Sequence, residues 1–307
     1  MIRRPPRSTL DRSSAASDVY KRQALGIAAI GISFSGVILP ILVDPLITAI
    51  GWRNVYLVFA GIVLLVLLPI IYLFVVNTPE EINQHKDNEL NAETIEILED
   101  PLPMKDFFKY KSFWFISLAF ALQFFSMGGV LLHLIPHATN LGFEAIWNVL
   151  GFPLKQTVFA YSLAAFGGVI GKIFFGYLID RIQANRPVMI MMFMQAMGIF
   201  GLTIVETFDL FLISCFIFGL GFGGAMVLMS ACFLKAFGSQ NLGSVRGISA
   251  VIIVPVQPLG IFIVGQAYDA GFYIQSFLLM GAASIIALLV SSQISIQQKD
   301  NLSLQQQ

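Results

Sequence analysis

Long apolar runs constrain this chain more than any other feature. Eight of them follow one another, most without a charged side chain, at about residues 24–50, 55–76, 112–135, 157–179, 187–205, 210–234, 247–268 and 272–293. About 20 residues of helix cross the roughly 30 Å hydrocarbon core of a bilayer. Because lipid cannot satisfy unpaired backbone N–H and C=O groups, such runs must be helices rather than open sheets or loops. The sequence therefore predicts an all-α membrane protein with eight spans.

Composition excludes several classes of function. Apolar residues make up 57% of the chain and charged residues 12%, whereas soluble domains contain roughly 25% charged residues. The 18 basic and 18 acidic residues cancel, which gives no basis for nucleic-acid binding. Cys215 and Cys232 fall on one predicted helix, roughly 25 Å apart, so they cannot form a disulfide. We interpret both as small core residues.

The chain divides into five predicted regions. Residues 1–23 are basic and polar; they resemble translated sequencing-adapter read-through, the alternative being a genuine disordered tail. Residues 24–76 hold two helices, the first interrupted by prolines and an aspartate, which predict a kink and an end near the interface: Pro40, Asp44 and Pro45. Residues 77–111 form an acidic, proline-containing linker that ends in an interfacial segment, MKDFFKYK. Residues 112–293 hold six helices, and residues 294–307 form a tail.

Lysine and arginine are distributed unevenly between the two sets of loops. The loops at 77–111, 180–187 and 235–246, with the tail, carry nearly all of them: Lys86, Lys105, Lys109, Lys111, Arg181, Arg186, Lys235, Arg246 and Lys299. The opposite loops carry only Arg53 and Lys155. Cytoplasmic loops are enriched in these residues, so this set of loops, both ends of the helical region and the C-terminus are predicted to be cytoplasmic. A bacterial inner membrane is the expected location.

A short motif follows the fourth span. Gly176, Leu178, Asp180 and Arg181 give the pattern G-x-L-x-D-R, and Arg186 follows in the same loop. The pattern resembles the loop signature of the major facilitator superfamily. The resemblance implies charge contacts that close the cytoplasmic side in one transport state and break in another. The alternative is an ordinary positively charged loop.

Further stretches extend the resemblance over nearly the whole chain after residue 23. They are GIAAIGISFSGVILP with GWR, HLIPHATNLGF, FGSQNLGSVRG and PLGIFIVGQAYDAGFY. They resemble the monocarboxylate and oxalate–formate antiporter type of the superfamily, although the last stretch lacks that type's Gly-Pro dipeptide. The match implies a partial helical bundle, helices five to twelve of twelve, with the first four missing. We therefore expect the chain alone to be an inactive fragment.

The function implied by this resemblance is secondary active transport of a small organic anion by alternating access, coupled to a proton or a counter-anion. The lipid bilayer is the other expected partner. An enzyme is not expected, because the sequence shows no catalytic triad, phosphate loop or metal-ligand cluster, and no cofactor or metal is predicted. The alternatives are a membrane receptor or sensor that does not transport, and a facilitator carrying another small solute.

Lys172 is a cation inside the apolar fourth span. It lies about four residues, or roughly 6 Å, from the middle of the span. The resemblance implies a substrate-facing cation here, since the related transporters place an arginine four residues before the glycine of the loop signature, and Lys172 precedes Gly176 by four. A buried ammonium needs a partner, which a carboxylate substrate would supply. The alternative is a lysine that extends its ammonium to the cytoplasmic interface.

Other polar residues lie within the spans. Tyr161, Ala165, Gly168 and Lys172 share one helical face, and Gly168 stands where some relatives carry an aspartate. Further candidates for a substrate cavity are Gln123, Ser126, Gln195 and Gln257; each is alternatively a helix-to-helix hydrogen bond. His133 and His137 are expected near the outer surface, without a third metal ligand. The glycines clustered in three spans predict close helix packing, either static or sliding: Gly26, Gly31, Gly36, Gly167, Gly171, Gly219, Gly221, Gly223 and Gly224.

Overall fold

The computed structural model of this chain describes Gly31 and residues 34–75, 102–149 and 152–294. The predictions for residues 1–23, for the acidic part of the linker and for the tail beyond 294 fall outside the described residues. The chain divides into two compact units, the second of which holds Pro101–Gln307 together with Ser33–Leu42.

Two helices precede the linker. Helix α1 is Phe34–Ile50 and helix α2 is Trp52–Phe74, with a single π-helical stretch at Val63–Leu67. Gly51 separates them in a left-handed conformation, with a φ of 78° that glycine adopts without strain. Helix α1 ends at Ile50, where the predicted first run ends, and it continues as helix through Pro40, Asp44 and Pro45.

The second unit contains six spans, and we call their bundle the six-span unit. They are α3 (Lys111–Asn140), α4 (Gln156–Leu178), α5 (Asn185–Ile204), α6 (Phe208–Phe237), α7 (Leu242–Asp269) and α8 (Tyr273–Ser291). With α2, they make seven helices of the described residues that are long and apolar enough to cross a membrane, and α1 is a shorter apolar helix. The predicted all-α membrane fold is confirmed.

Several boundaries differ from the prediction. Helix α3 runs through Pro136 to Asn140 rather than ending near residue 135. A single Gly224 turn breaks α6 into Phe208–Gly223 and Ala225–Phe237. Helix α7 breaks between Leu242–Ile253 and Val256–Asp269, where Pro255 lacks the N–H that would continue the ladder.

A small β-hairpin between α3 and α4 was not predicted. Strands β1 (Ile146–Val149) and β2 (Phe152–Lys155) pair antiparallel, with Ile146 opposite Lys155. The stretch FEAIWNVLGFPLK has no regular alternation of apolar and polar residues, so its sequence gave little strand signal.

Short connections place alternate helix ends at two ends of the six-span unit. We call one the basic end: it contains segments 102–110, 179–184 and 238–241 and most of the lysines and arginines. The other, which we call the aromatic end, contains residues 141–149, 152–155, 205–207 and 270–272. At the basic end a short 3₁₀ helix, Met104–Lys109, leads into α3. It occupies the predicted interfacial segment, and its Phe107 is fully buried.

Candidate functional site

Helix α4 carries the predicted cation and its neighbours. Lys172 and Tyr161 are half-buried, and Ala165 and Gly168 are buried. The predicted stripe therefore exists as one face of a continuous helix. Its middle is covered, because a Cβ on Gly168 would lie 3.0 Å from the ring of Phe222 on α6.

Glycines bring α4 and α6 together. A Cβ on Gly167 would lie 2.6 Å from the Phe216 carbonyl oxygen and 3.2 Å from the Gly219 Cα. Added Cβ atoms would also meet backbone at three further positions: Gly171 against Leu220, Gly219 against Ala164, and Gly223 against Gly168. Only glycine permits such a close backbone approach. The predicted close packing of these helices is confirmed.

A buried polar network joins α3, α5 and α8. Gln123 Nε2 donates to Gln195 Oε1 at 2.9 Å, and Gln195 Nε2 donates to Ser126 Oγ at 2.6 Å. Ser126 Oγ lies 2.7 Å from Ser284 Oγ, and all four side chains are essentially inaccessible. The sequence left two interpretations of Gln123, Ser126 and Gln195: lining of a substrate cavity, or hydrogen bonds between helices. In this conformation they make hydrogen bonds between helices. Ser284 was missed, because a lone serine in an apolar span carries no signal.

Gln257 lies apart from that network. It is half-buried at the start of the second half of α7, and it packs on Gly128 of α3: a Cβ on Gly128 would lie 2.6 Å from its Cγ. The side chain therefore fills space left by a glycine.

The G-x-L-x-D-R motif lies at the basic end. Asp180 and Arg186 are exposed, and the Arg181 guanidinium stacks on the Tyr177 ring, 4.8 Å from its centroid. A Cβ on Gly176 would make only an ordinary contact, 3.7 Å from Val227 Cγ1. This glycine is therefore not required by packing.

Lys235 contacts this motif from α6. Its Nζ donates to the Ile179 carbonyl oxygen at 2.6 Å. Ile179 follows the last residue of α4, where carbonyl groups have no partner within the helix, and a cation is favourable there. From the sequence, Lys235 was counted only among the charges of its loop. Its position in the last turn of a span is the signal that could have identified a contact with a helix end.

The segment before α3 is also fixed at the basic end. Leu102 N donates to Asn241 Oδ1 at 2.8 Å, and the Phe107 ring packs edge-on against Phe237 at 5.4 Å. Lys109 pairs with Asp106 at 2.7 Å, and that hydrogen bond raises the pKa of the exposed lysine.

The two histidines lie toward the aromatic end. His137 lies three residues before the end of α3 and is only 2% exposed. Its Nε2 lies 2.7 Å from the Leu202 carbonyl oxygen, and its ring packs 4.6 Å from that of Phe277. His133 is half-buried, with Nδ1 2.9 Å from the Gly129 carbonyl oxygen. Within the described ranges no cluster of three metal-ligating side chains contains either histidine.

Both cysteines are buried and free, as predicted.

Comparison with protein families identifies the scaffold. The profile of the Major Facilitator Superfamily matches residues 13–256, well over half of the 307 residues. Comparison with curated proteins found no match. The six-span unit, its glycine-lined contacts and the loop motif agree with this family, whose members move small solutes across membranes and are not enzymes. The chain is a multi-pass integral membrane protein and belongs to the major facilitator superfamily.

Proposed function

We propose that this protein carries out secondary active transport of a small organic anion of the monocarboxylate or oxalate–formate type, by alternating access. One observation carries the proposal. Lys172 is the cation of an otherwise uncharged helix in a family of small-solute transporters, and its side chain is half-buried. A charge at the bilayer centre costs about 2.5–3.5 kcal/mol on insertion scales, which favours a functional reason for its presence.

The stripe on α4 divides into two parts by distance. Gly168 lies one turn from Lys172, about 6 Å along the helix, and the Phe222 ring covers it in this conformation, so a ligand would reach it only if that ring moved. Tyr161 lies eleven residues away, about 16 Å along the helix. A small carboxylate at Lys172 cannot touch both, so we assign Lys172 and Gly168 to the binding site and Tyr161 to the path leading to it.

The remaining predicted residues take different places in the proposal. Gln257 is half-buried and accessible for a role beside the substrate path. Gln123 and Ser126 are committed to the network with Gln195 in this conformation, so they would reach a substrate only if the network opened. The loop residues are proposed to act as the gate on the cytoplasmic side: Gly176, Asp180, Arg181 and Arg186.

Coupling is proposed to involve a proton or a counter-anion. Spans α3 to α8 carry acidic residues only at their ends, at Asp209 and Asp269. A proton would therefore travel with the substrate itself or through groups outside these six spans. An exchanged anion would need only the cation at Lys172.

Uptake measurements test the proposal. The longest open reading frame containing residues 24–307 is expressed in a cell that lacks uptake of the acid assayed, with labelled formate, oxalate and lactate as substrates. Lys172→Gln should abolish saturable uptake while the protein still inserts, whereas Lys172→Arg should retain part of it because the charge stays. Lys111→Gln is the matched control, since it removes an exposed lysine at the basic end.

Three outcomes would contradict the proposal. Unchanged uptake in Lys172→Gln would favour a lysine that extends to the interface, because α4 ends about 9 Å beyond it. Equal losses in Lys172→Gln and Lys111→Gln would indicate a general charge effect. Saturable binding of the acid without flux in the unmodified protein would favour a receptor.

A further inference from the structure

The turn between α6 and α7 is bonded on two sides at the basic end. It consists of residues 238–241, and the last turn of α6 leads into it, with Gly238 N donating to the Leu234 carbonyl oxygen at 2.9 Å. Lys235 and Phe237, two residues apart at this helix end, contact different parts of the protein. The helix end therefore holds both contacts on one short, hydrogen-bonded piece of backbone.

One side of the turn holds the segment before α3. Asn241 accepts from Leu102 N at 2.8 Å and donates from Nδ2 to the Phe237 carbonyl oxygen at 2.9 Å. Its amide thus joins the incoming segment to the end of α6. The rings of Phe107 and Tyr110 pack against Phe237 with centroids 5.4 and 5.7 Å away. Phe107 and Phe237 are both buried, so the segment is packed on the turn as well as hydrogen-bonded to it.

The other side of the turn holds the end of α4. Lys235 Nζ donates to the Ile179 carbonyl oxygen at 2.6 Å. Ile179 immediately precedes Asp180 and Arg181 of the loop motif. The lysine supplies a charged donor where the helix leaves carbonyl groups without internal partners. A change in the position of this carbonyl is therefore a change at the motif.

We propose that residues 235–241 form a coupling junction between segment 102–110 and the 179–184 loop. Lys235 and Asn241 are its positioning residues. Loosening one side releases the end of α6 and thereby loosens the other, so the state of the segment entering α3 is transmitted to the loop motif. The inference goes beyond the proposed function and does not depend on which solute is carried.

Hydrogen exchange in the full chain, measured by mass spectrometry in lipid nanodiscs, tests the coupling across the turn. Asn241→Ala breaks the hydrogen bond from Leu102 N and the bond to the Phe237 carbonyl oxygen, while the contact between Lys235 and Ile179 keeps both of its partners. This substitution should speed exchange of the amides of Arg181 and Ile182, which bond to the Leu178 carbonyl oxygen. Lys235→Met breaks only the contact with Ile179. It should speed exchange of the amides of Asp106 and Tyr110. Loss of one hydrogen bond predicts an increase of roughly threefold to tenfold.

Two matched controls isolate the junction. Gln240→Ala removes the neighbouring exposed amide, for which the described residues show no side-chain hydrogen bond, and it should change neither segment. Lys235→Arg keeps a cationic donor and should restore slow exchange at Asp106 and Tyr110.

The outcomes separate coupling from simple local damage. If each variant speeds exchange only on its own side, the junction is disproved. Equal acceleration at the aromatic end, read at the amides of Ala270 and Gly271, would mean general loosening and would overturn it as well. The junction is supported if each variant speeds amide exchange on the opposite side of the turn, exchange at the aromatic end is unchanged, and both control variants exchange as the unmodified protein does.

Discussion

Two helix interfaces of the six-span unit are built from different kinds of residue. Between α4 and α6, glycines bring backbone against backbone. The side-chain hydrogen bond described there, from Lys235 to the Ile179 carbonyl oxygen, lies at the end of α4 and not within the span. Among α3, α5 and α8, long amide side chains and serines reach across the gap and bond to one another. The first interface depends on the absence of Cβ atoms at its glycines. The second depends on the presence and direction of particular amide and hydroxyl groups.

The two interfaces should respond differently to a small displacement of one helix along another. A glycine surface has no directional bond to break, so two such helices can slide if nothing fills the gap. A network in which Gln195 contacts Gln123, Ser126 and Ser284 fixes the relative register of three helices, since the bonds depend on angle as well as distance. We infer that movement within this unit is easier along α4 and α6 than among the other three spans.

The largest expected effect comes from filling the glycine interface. Gly167→Ala places a Cβ 2.6 Å from the Phe216 carbonyl oxygen. Because the obstructing atoms are backbone, the helices must separate, at a cost of about 2–3 kcal/mol in the free energy of unfolding. Unfolding of the purified protein in mixed micelles, followed by circular dichroism, measures this cost.

Gly176→Ala is the matched control on the same helix. Its Cβ would make only a 3.7 Å contact with Val227, so the free energy of unfolding should change by less than about 1 kcal/mol. Helix propensity favours alanine over glycine, so equal destabilisation by both substitutions would show that the close contact at Gly167 is not the cause.

An intermediate effect is expected at the polar network. Gln195→Leu leaves Gln123 Nε2 buried without its acceptor, and should cost about 1–2 kcal/mol in the free energy of unfolding. The double variant Gln123→Leu/Gln195→Leu removes both partners, so it should cost less than the sum of the two single changes. The same unfolding assay on all three variants completes the cycle; strict additivity would mean that the two amides do not interact.

The smallest effect is expected for Ser284→Ala. The Ser284 hydroxyl lies 2.7 Å from Ser126 Oγ and accepts from Gln195 at 3.3 Å. It also donates to the Met280 carbonyl oxygen within its own helix at 3.2 Å. Gln195 keeps its shorter bond to Ser126. We expect a loss of about 0.5 kcal/mol in unfolding free energy, and a loss as large as that of Gln195→Leu would place the centre of the network at the serines.

Periodicity and hydrophobicity predicted the spans well, because lipid leaves a helix few alternatives. They could not predict the partners of a polar residue within a span. Gln123 and Ser126 were equally consistent with a cavity and with a hydrogen bond, since that depends on which helix faces them. His137 was expected near the outer surface, and the sequence could not show that one carbonyl group and three aromatic rings would surround it.

The distribution of lysine and arginine over the loops could be used from the sequence alone, but the contacts of single charged residues could not be predicted. Lys235 was counted with its loop, and its bond to the end of α4 depends on a contact 56 residues away in sequence. Gly168 was predicted to share a helical face with Lys172, and the sequence could not show that the Phe222 ring covers that glycine. Long-range contacts of this kind have no local sequence pattern.

The unequal lengths of the spans have a consequence for the surrounding lipid. Helices α3 and α6 contain 30 residues each, or about 45 Å, whereas α8 contains 19, or about 28 Å. Only the short spans match a hydrocarbon thickness of about 30 Å without tilting. The long spans must lean or project beyond it, so thinning the membrane would increase the length mismatch of α3 and α6 more than that of α8. The acyl-chain length of the host lipid thus becomes a variable that acts on the long helices selectively.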